Sequence, residues 1–375
     1  MELLFWTIFG VVLYTYLGYP LVIALLASTR KDVVTDVGVE DIGLPEISIV
    51  IAALNEADNL QKKIYSINSS DYPVDLIRII VVSDGSDDDT EQRMAQYPNV
   101  TCLVNKERMG KPSALNRGME VVKTDIVVFS DARQTLKEDA LRKLVIALQN
   151  ENTGAVSGEL VQLKALSNEG ASVGLYWKYE KWIRRNESRV HSVPGVSGAL
   201  YAIRSEDYVP LLPDTILDDF EIPLNILKKG KKVKFESGAI MYDRVEESSG
   251  KEKQRKIRTL SGNYQSFARN PWLFNPLSNP IWFQFMSHKF LRLTVPYCMF
   301  LLLVLPPFLP GAFYTLFFIS EGGFYLLVFM ARLFPELKNN RLVGFCHVFW
   351  DLNMSAVIAL KRYLFGDVNV KWVRT

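Results

Sequence analysis

Apolar residues occur in short uninterrupted runs that alternate with segments of helical spacing. Four such runs predict strands that are buried on both faces, at 47–53, 77–83, 100–104 and 126–130. Between and after them, segments such as 57–67 and 138–149 repeat apolar residues three or four positions apart, which predicts helices. Strands that alternate with helices form a parallel sheet with crossover connections. The pattern therefore predicts an α/β domain.

Polar residues follow directly after three of these predicted strands. Asn55 and Glu56 follow the first, Asp84 begins the turn Asp84-Gly85-Ser86 after the second, and Asp131 ends the last. Open α/β sheets bind ligands in a crevice outside the carboxyl ends of their strands. We therefore expect Asp84 and Asp131 to face one crevice, although an aspartate at such a position can also be a simple turn residue.

The beginning of the chain is apolar without interruption. Leu3–Ala27 is long enough to cross about 30 Å of hydrocarbon as a helix. It has no preceding basic residue and no clear cleavage site, which favours a retained anchor over a signal peptide. Arg30 and Lys31 follow it, so we expect the middle of the chain to be cytoplasmic.

The C-terminal part is apolar again, with candidate spans at 291–309, 311–331 and 343–360. The first two read as a hairpin with prolines at its turn. The third contains Asp351 and Asn353, so it could span, re-enter or lie at the interface. Basic residues occur both in the connector before it and in the tail after it, and both stretches would favour the cytoplasmic side. One full span between them would place them on opposite sides of the membrane. The sequence leaves three or four spans open.

Composition and charge exclude two classes of function. The net charge is only +2 and the main basic run, 251–258, precedes a membrane segment, which argues against nucleic-acid binding. The three cysteines have no metal-ligand spacing, so neither a zinc site nor a disulfide framework is expected. The basic run has a simpler explanation as well, because juxtamembrane lysines and arginines attract anionic lipid.

Six short segments follow one another in a fixed order. Two keep all the defining residues of a motif: Asp84-Gly85-Ser86, and the set Lys111, Ala114, Leu115, Asn116 and Gly118. Four keep part of a motif: Asn55-Glu56, Asp131-Ala132-Arg133, Leu217-Asp218-Asp219, and Arg255 to Thr259. In this order the segments resemble those of the membrane-bound family 2 glycosyltransferases, the group that contains cellulose, hyaluronan and poly-N-acetylglucosamine synthases.

The resemblance implies a GT-A fold, which is Rossmann-like with a mostly parallel sheet, in a cytoplasmic domain flanked by transmembrane helices. It implies an inverting transfer of sugar from a nucleotide sugar, with a UDP-sugar favoured, and Asp219 as the base. The other residues that it assigns to nucleotide-sugar binding are Asn55, Glu56, Asp84, Lys111, Asp131, Arg133, Asp218, Arg255 and Arg258. Asp131 is also the expected ligand of Mg²⁺ or Mn²⁺. Without the resemblance, Asp218 and Asp219 would read as helix-capping residues.

Two departures from the family limit what it implies. Arg133 stands where the family has a second metal-binding carboxylate, so we expect a weakened metal dependence. Either Asp131 and water hold the cation with help from elsewhere, or the guanidinium itself neutralises part of the diphosphate. Thr259 stands where the family has a tryptophan that supports the end of a growing polymer, which weakens the case for processive synthesis.

The resulting domain prediction is an anchor at 1–29, a linker at 30–46, the GT-A domain at 47–245, a basic gating and interface segment at 246–289, and a membrane region with a basic tail at 290–375. We expect an enzyme of the inner membrane that acts on a lipid-linked or growing glycan beside membrane lipid, with export proteins as further partners. The alternatives are single addition to a lipid or polyprenyl phosphate, and a non-catalytic subunit that binds nucleotide or glycan. A nucleotidyltransferase is disfavoured because no glycine-rich loop follows the first strand.

Overall fold

The strands of this protein form one eight-stranded mixed sheet. A computed structural model describes residues 1–30, 43–163, 169–244 and 249–366. In the described residues the strands are β1 Ile47–Ala53, β2 Ile77–Asp84, β3 Val100–Asn105, β4 Ile126–Ser130, β5 Thr135–Leu136, β6 Thr153–Leu163, β7 Leu200–Arg204 and β8 Lys232–Arg244. Their order in the sheet is β3-β2-β1-β4-β7-β6-β8-β5. The four strands that the sequence predicts form one half of this sheet.

That half is parallel throughout. β1 lies between β2 and β4 and pairs with both in parallel, and β2 pairs in parallel with β3. The other half is mixed, because β7 runs antiparallel to both of its neighbours while β6 and β8 are parallel to one another. The predicted α/β class is confirmed, and the antiparallel strand β7 is what joins the two halves.

Helices cover both faces of the sheet. Those of the domain are α2 Ala57–Asn68, α3 Thr90–Met94, α4 Lys111–Glu120, α5 Ala140–Leu148, α6 Glu169–Val190, α7 Asp218–Lys228 and α8 Ser249–Arg269. Residues of β1 alternate between two buried clusters: Ile49 packs with Leu60 of α2, and Val50 packs with Leu115 of α4. A strand buried on both faces is apolar at every position, which is why β1 reads as an unbroken apolar run.

The described residues include four helices that are long and apolar enough to cross a membrane: α1 Glu2–Ser28, α9 Trp282–Phe308, α10 Ala312–Leu333 and α11 Arg341–Leu364. By length and composition, the third C-terminal apolar segment therefore qualifies as a span. The helix α9 begins nine residues before the predicted start at residue 291, because Trp282–Phe290 is already helical. Most of the predicted linker and the basic tail beyond residue 366 lie outside the described residues.

The membrane helices make two separate sets of contacts. Near the start of the chain, Phe5 of α1 packs edge-on against Tyr314 and Phe317 of α10, with ring centroids 5.1 Å apart in both cases. At its far end, α11 packs along α8 of the domain, where Oγ of Ser261 donates to the carbonyl of Ala359 at 3.2 Å. The end of α11 and the α/β domain are therefore neighbours.

Candidate active site

The carboxylate of Asp84 shapes the loop that leads into α4. Asp84 is fully buried, and its Oδ1 accepts hydrogen bonds from Asn105 Nδ2 and the backbone N–H of Met109, both at 2.9 Å. Its Oδ2 accepts from the backbone N–H of Gly110 at 2.7 Å. The sequence predicted that Asp84 and Asp131 face one open crevice. In the structure the carboxylate of Asp84 is instead enclosed by its own loop. It fixes the residue before Lys111, so any effect on a nucleotide is indirect in this structure.

Gly110 allows the turn by which Lys111 enters the site. Its φ is +93°, a conformation that side-chain-bearing residues rarely adopt. Lys111 is the first residue of α4 and Pro112 the second, a position where a missing N–H is tolerated. The sequence Gly-Lys-Pro therefore ends a loop, begins a helix and points the lysine back toward the ends of the strands.

Lys111 joins the end of β4 to the beginning of α7. Its Nζ lies 3.0 Å from Oδ1 of Asp131 and 3.1 Å from Oδ2 of Asp218. Burial disfavours the ammonium form, but the charges of Asp131, Asp218 and Asp219 outweigh it and raise the pKa of Lys111. The lysine is therefore charged at neutral pH, and three residues that the sequence assigned to one site are in contact.

Asp219 lies beside this group and is partly exposed. Its backbone carbonyl accepts from the N–H of Val196 at 3.0 Å, which ties the start of α7 to the loop before β7. A Cβ at Gly198 would lie only 3.1 Å from Oδ2 of Asp219, so a glycine there leaves room beside the carboxylate. Burial and the charge of Asp218 raise the pKa of Asp219 to about 6, while Lys111 opposes them. A base with such a pKa is suited to proton abstraction near neutrality.

Arg133 forms a salt bridge with Asp243. Its Nε and Nη2 donate to the two oxygens of Asp243 on β8, at 3.1 and 2.8 Å, in a bidentate pair. Gln134 Nε2 donates to the same carboxylate at 3.2 Å. The alternative in which this guanidinium neutralises a diphosphate would require it to leave a buried carboxylate, so the structure favours a structural role for Arg133.

Asn55 and Glu56 lie at the end of β1 and organise the adjacent loops. Oδ1 of Asn55 accepts from the backbone N–H of Asp87 at 2.7 Å, and its own N–H donates to Oγ of Ser86 at 3.1 Å. Glu56 precedes α2 and accepts from Asn59 Nδ2 at 2.5 Å. These contacts connect the loops after β1 and β2, where the sequence predicted nucleotide contacts.

Arg255 and Arg258 are exposed on α8. Further along the same helix, Gly262 lies against Leu217, the residue before Asp218. Gln265 accepts from the N–H of Ile216 at 2.9 Å. Residues four and seven positions before Gly262 share its face, so Arg258 and Arg255 lie about one and two turns from this contact. Neither arginine forms an ion pair with a carboxylate in the part of the chain that the structure describes.

Three residues that surround the site were not selected from the sequence. Tyr201 of β7 is fully buried, its hydroxyl has no hydrogen-bond partner among the described residues, and its ring stacks on Phe129 at 4.9 Å. Lys289 of α9 lies over the ring of Phe220, with Nζ 5.5 Å from its centroid. Arg184 of α6 donates to the carbonyl of Gly195 at 3.3 Å. All three come from segments whose apolar or mixed pattern is typical of ordinary packing.

The described residues offer a sparse donor set for a metal ion. No group of three or more His, Cys, Asp and Glu side chains in that part of the chain is placed to hold one. Asp131 is 38% exposed and only its Oδ1 is bound to Lys111, so its second oxygen can serve as a ligand. Mg²⁺ is commonly held by one or two carboxylates together with substrate phosphates. The residues therefore fit a divalent ion only if a phosphorylated substrate completes its coordination.

Residues 48–208 match the family model described as Glycosyl transferase family 2. Among curated relatives, the probable glycosyltransferase YdaM of Bacillus subtilis is 24% identical over 241 residues, which are 59% of this chain and 56% of that protein. The poly-beta-1,6-N-acetyl-D-glucosamine synthase of Staphylococcus epidermidis is also 24% identical over 241 residues, which are 60% of this chain and 56% of that protein. The chain thus spans little more than half the length of these relatives.

One solved structure matches nearly the whole chain. It is the mannosyltransferase PcManGT from Pyrobaculum calidifontis in complex with GDP-Man and Mn²⁺. The TM-score is 0.72, and the match covers 97% of this chain and 99% of that one, at 20% sequence identity. At this identity the match establishes the fold, and the predicted GT-A architecture with flanking helices is confirmed.

Proposed function

We propose that this chain, whose residues 48–208 match the model of Glycosyl transferase family 2, transfers a sugar with inversion from a nucleotide sugar to a hydroxyl of a lipid-linked or growing glycan. The observation that supports this most directly is the contact of Lys111 with both Asp131 and Asp218, next to the partly exposed Asp219. This arrangement supports the proposal because a displacement at an anomeric carbon requires a base for the acceptor and positive charge for the leaving group.

In the proposed reaction, Asp219 takes the proton of the acceptor hydroxyl. The acceptor oxygen attacks the anomeric carbon, and the bond from that carbon to the diphosphate breaks with its electron pair on the leaving nucleotide. Ionised Asp219 accepts the proton, and its pKa of about 6 keeps most of it ionised at neutral pH. Asp218, which is bound to Lys111, has the complementary role of holding the lysine beside the departing diphosphate.

Positive charge for the leaving group comes from three side chains in this proposal. Lys111 is already in the site, and Arg255 and Arg258 approach from α8. A divalent ion held by Asp131 and the substrate would add further neutralisation of the diphosphate. Asn55 and Glu56 are placed where the nucleoside would lie if it binds at the ends of β1 and β2.

We further propose that the domain is on the cytoplasmic side of the inner membrane and uses a UDP-sugar. Arg30 follows the apolar helix α1, which favours the cytoplasmic side for the domain. A nucleotide sugar in the matched mannosyltransferase, GDP-Man, supports the substrate class without selecting the base or the sugar.

The direct test is sugar transfer by purified full-length protein in detergent, with a panel of radiolabelled nucleotide sugars and membrane extract as acceptor. We expect Asp219→Asn to lower the rate about 10² to 10⁴-fold, because a positioned base contributes that much. Asp75→Asn changes an exposed aspartate outside the site and should leave the rate unchanged. A folded Asp219→Asn protein with the wild-type rate would exclude Asp219 as the base.

Single addition is a second candidate function. Thr259, which stands where the polymer synthases have a tryptophan, is exposed on α8 and offers no ring on which a terminal sugar could stack. Analysis of product length decides between the two: one product size indicates single addition, and a ladder of sizes indicates a polymer.

A further inference from the structure

Two cations, Lys289 and Arg184, lie near Asp219. Nζ of Lys289 is 5.5 Å from the ring centroid of Phe220, the residue after Asp219. Arg184 donates to the carbonyl of Gly195, and a Cβ at Gly195 would lie 3.0 Å from the same Phe220 ring. Both cations therefore flank Phe220, and they belong to α9 and α6 rather than to the sheet ends that hold the predicted nucleotide contacts.

Two nearby carboxylates, Glu180 and Glu187, are bound to other groups. Glu180 is paired with Arg292, and its Oε2 accepts from Nε2 of His288 at 3.1 Å. Glu187 accepts from the Tyr19 hydroxyl at 2.5 Å and contacts the other nitrogen of His288 at 2.7 Å.

Neither Lys289 nor Arg184 has a carboxylate oxygen within 4 Å among the described residues. Lys289 and Arg184 therefore lie near these carboxylates and near Asp219 without direct contact to any of them. A phosphate bound between the two cations would give each of them a charge-assisted partner.

An apolar groove lies next to Phe220, on the far side of the Phe267 ring. A cavity of about 380 Å³ is lined by Tyr264, Phe267, Phe274, Phe290, Leu293 and Tyr297, together with Ala268 and Thr294. Phe267 packs against Phe220 with ring centroids 6.2 Å apart, and Phe290 follows Lys289. The groove lies between α8 and the candidate span α9, so a hydrocarbon chain from the bilayer could enter it.

We propose that the acceptor is a lipid phosphate carrying a sugar: its phosphate lies between Arg184 and Lys289, its hydrocarbon chain follows the groove, and its sugar hydroxyl faces Asp219. This rests on the proposed function and names the acceptor class for the same site. The reaction is the one given above: the sugar hydroxyl loses its proton to Asp219, and the phosphate takes no part in bond making.

The test is a binding measurement that requires no turnover. Full-length protein in nanodiscs is titrated with a polyprenyl phosphate and with the uncharged polyprenol of equal length. We expect the phosphate to bind at least about tenfold more tightly, which is the preference that a charge-assisted contact provides. Lys289→Met should remove most of this preference, and Lys289→Arg should retain it.

Two controls keep the outcome interpretable. Lys361→Met removes an exposed cation at the end of α11 and should leave the preference intact, which excludes general attraction to the membrane. Ala268→Trp fills the groove from an exposed position. It should weaken the binding of the long polyprenyl phosphate more than the binding of a ten-carbon prenyl phosphate. Equal binding of phosphate and alcohol by the wild type, or an unchanged preference in Lys289→Met, would overturn the proposal.

Nucleotide-sugar hydrolysis, measured on the same samples without acceptor, separates this inference from the enzyme assignment. Hydrolysis without a preference for lipid phosphate would leave the glycosyltransferase proposal standing and remove only the acceptor class. A preference without any hydrolysis or transfer would count against the enzyme and leave the lipid site.

Discussion

The ammonium group of Lys111 lies 3.0 Å from Oδ1 of Asp131, so the first residue of a helix pairs with the aspartate that directly follows strand β4, 20 positions later. The same group is 3.1 Å from Asp218. A single lysine therefore holds together carboxylates that would otherwise repel one another, and its charge lowers the pKa of Asp219.

Replacing this lysine should change the pH dependence of the reaction. In Lys111→Met the opposing charge is lost, so the pKa of Asp219 should rise above its wild-type value of about 6. We expect the midpoint of the rate–pH curve to move to higher pH and the maximal rate to fall about 10 to 100-fold. Initial rates between about pH 5 and about pH 9 measure both, and Lys111→Arg should keep the wild-type midpoint. An unmoved midpoint in Lys111→Met would mean that Lys111 does not act on the base.

Asp219 should make the protein less stable as pH rises. Because burial raises its pKa from about 3.9 to about 6, the folded state holds this proton more tightly than the unfolded state does. The free energy of unfolding contributed by this group therefore falls between about pH 4 and about pH 6. Asp219→Asn should be more stable than the wild type at pH 7.5, by about 1 to 2 kcal/mol, and the difference should vanish near pH 4. Thermal unfolding in detergent at both pH values measures this, and a destabilised variant at pH 7.5 would contradict it.

Removal of divalent ions should lower transfer without abolishing it. Asp131 is the one carboxylate of the described site that fits the ion, and Lys111 already supplies positive charge there. We expect residual transfer in excess EDTA and a partial gain on addition of Mg²⁺ or Mn²⁺. In Asp131→Asn that gain should be smaller than in the wild type. Complete loss in EDTA with full recovery by metal would show that the missing carboxylate at position 133 does not matter.

Lys63 should be a source of instability at low pH. It is fully buried beneath Ser130, to whose Oγ its Nζ donates at 2.9 Å, and burial lowers the pKa of Lys63 to about 7. Between about pH 7 and about pH 10.5 the unfolded state binds more protons at this group, so its contribution to stability rises with pH.

Lys63→Met should therefore be more stable than the wild type near pH 6, with a smaller gain near pH 9. Unfolding temperatures at the two pH values check this. A gain that does not shrink with rising pH would point to better packing rather than to the buried charge. Lys62→Met, at the preceding and exposed position, is the matched control and should show no such dependence.

The parallel half of the sheet could be predicted closely from the sequence. Ile47–Ala53 and Ile126–Ser130 have the predicted bounds, because a strand covered on both faces must be apolar throughout. The other half could not. β6 contains Gly154 and Gly158 and shifts register against β8 at two places, so its apolar pattern is interrupted.

The candidate site shows the same division. Lys111, Asp131, Asp218 and Asp219 were selected through short motifs, and the structure brings them together. Asp84 was also selected, but its oxygens are turned toward its own loop, which depends on the fold of residues 105–110 rather than on the strand that carries it. Arg184 and Lys289 come from segments 105 positions apart, and no local pattern relates them.

The packing of α11 along α8 also bears on whether the number of membrane crossings is odd or even. Arg362 of α11 donates to Gln254 of α8 at 2.9 Å, so the end of this helix is on the side of the domain. The helix α10 begins beside Phe5, which is near the start of α1, whereas the domain follows the other end of α1. If α1, α9 and α10 each cross the bilayer, the connector 334–340 is on the domain side as well. Both ends of the continuous helix α11 are then on that side, so α11 lies along the membrane surface instead of crossing it. We therefore expect three crossings, an odd number, with both basic stretches facing the same compartment.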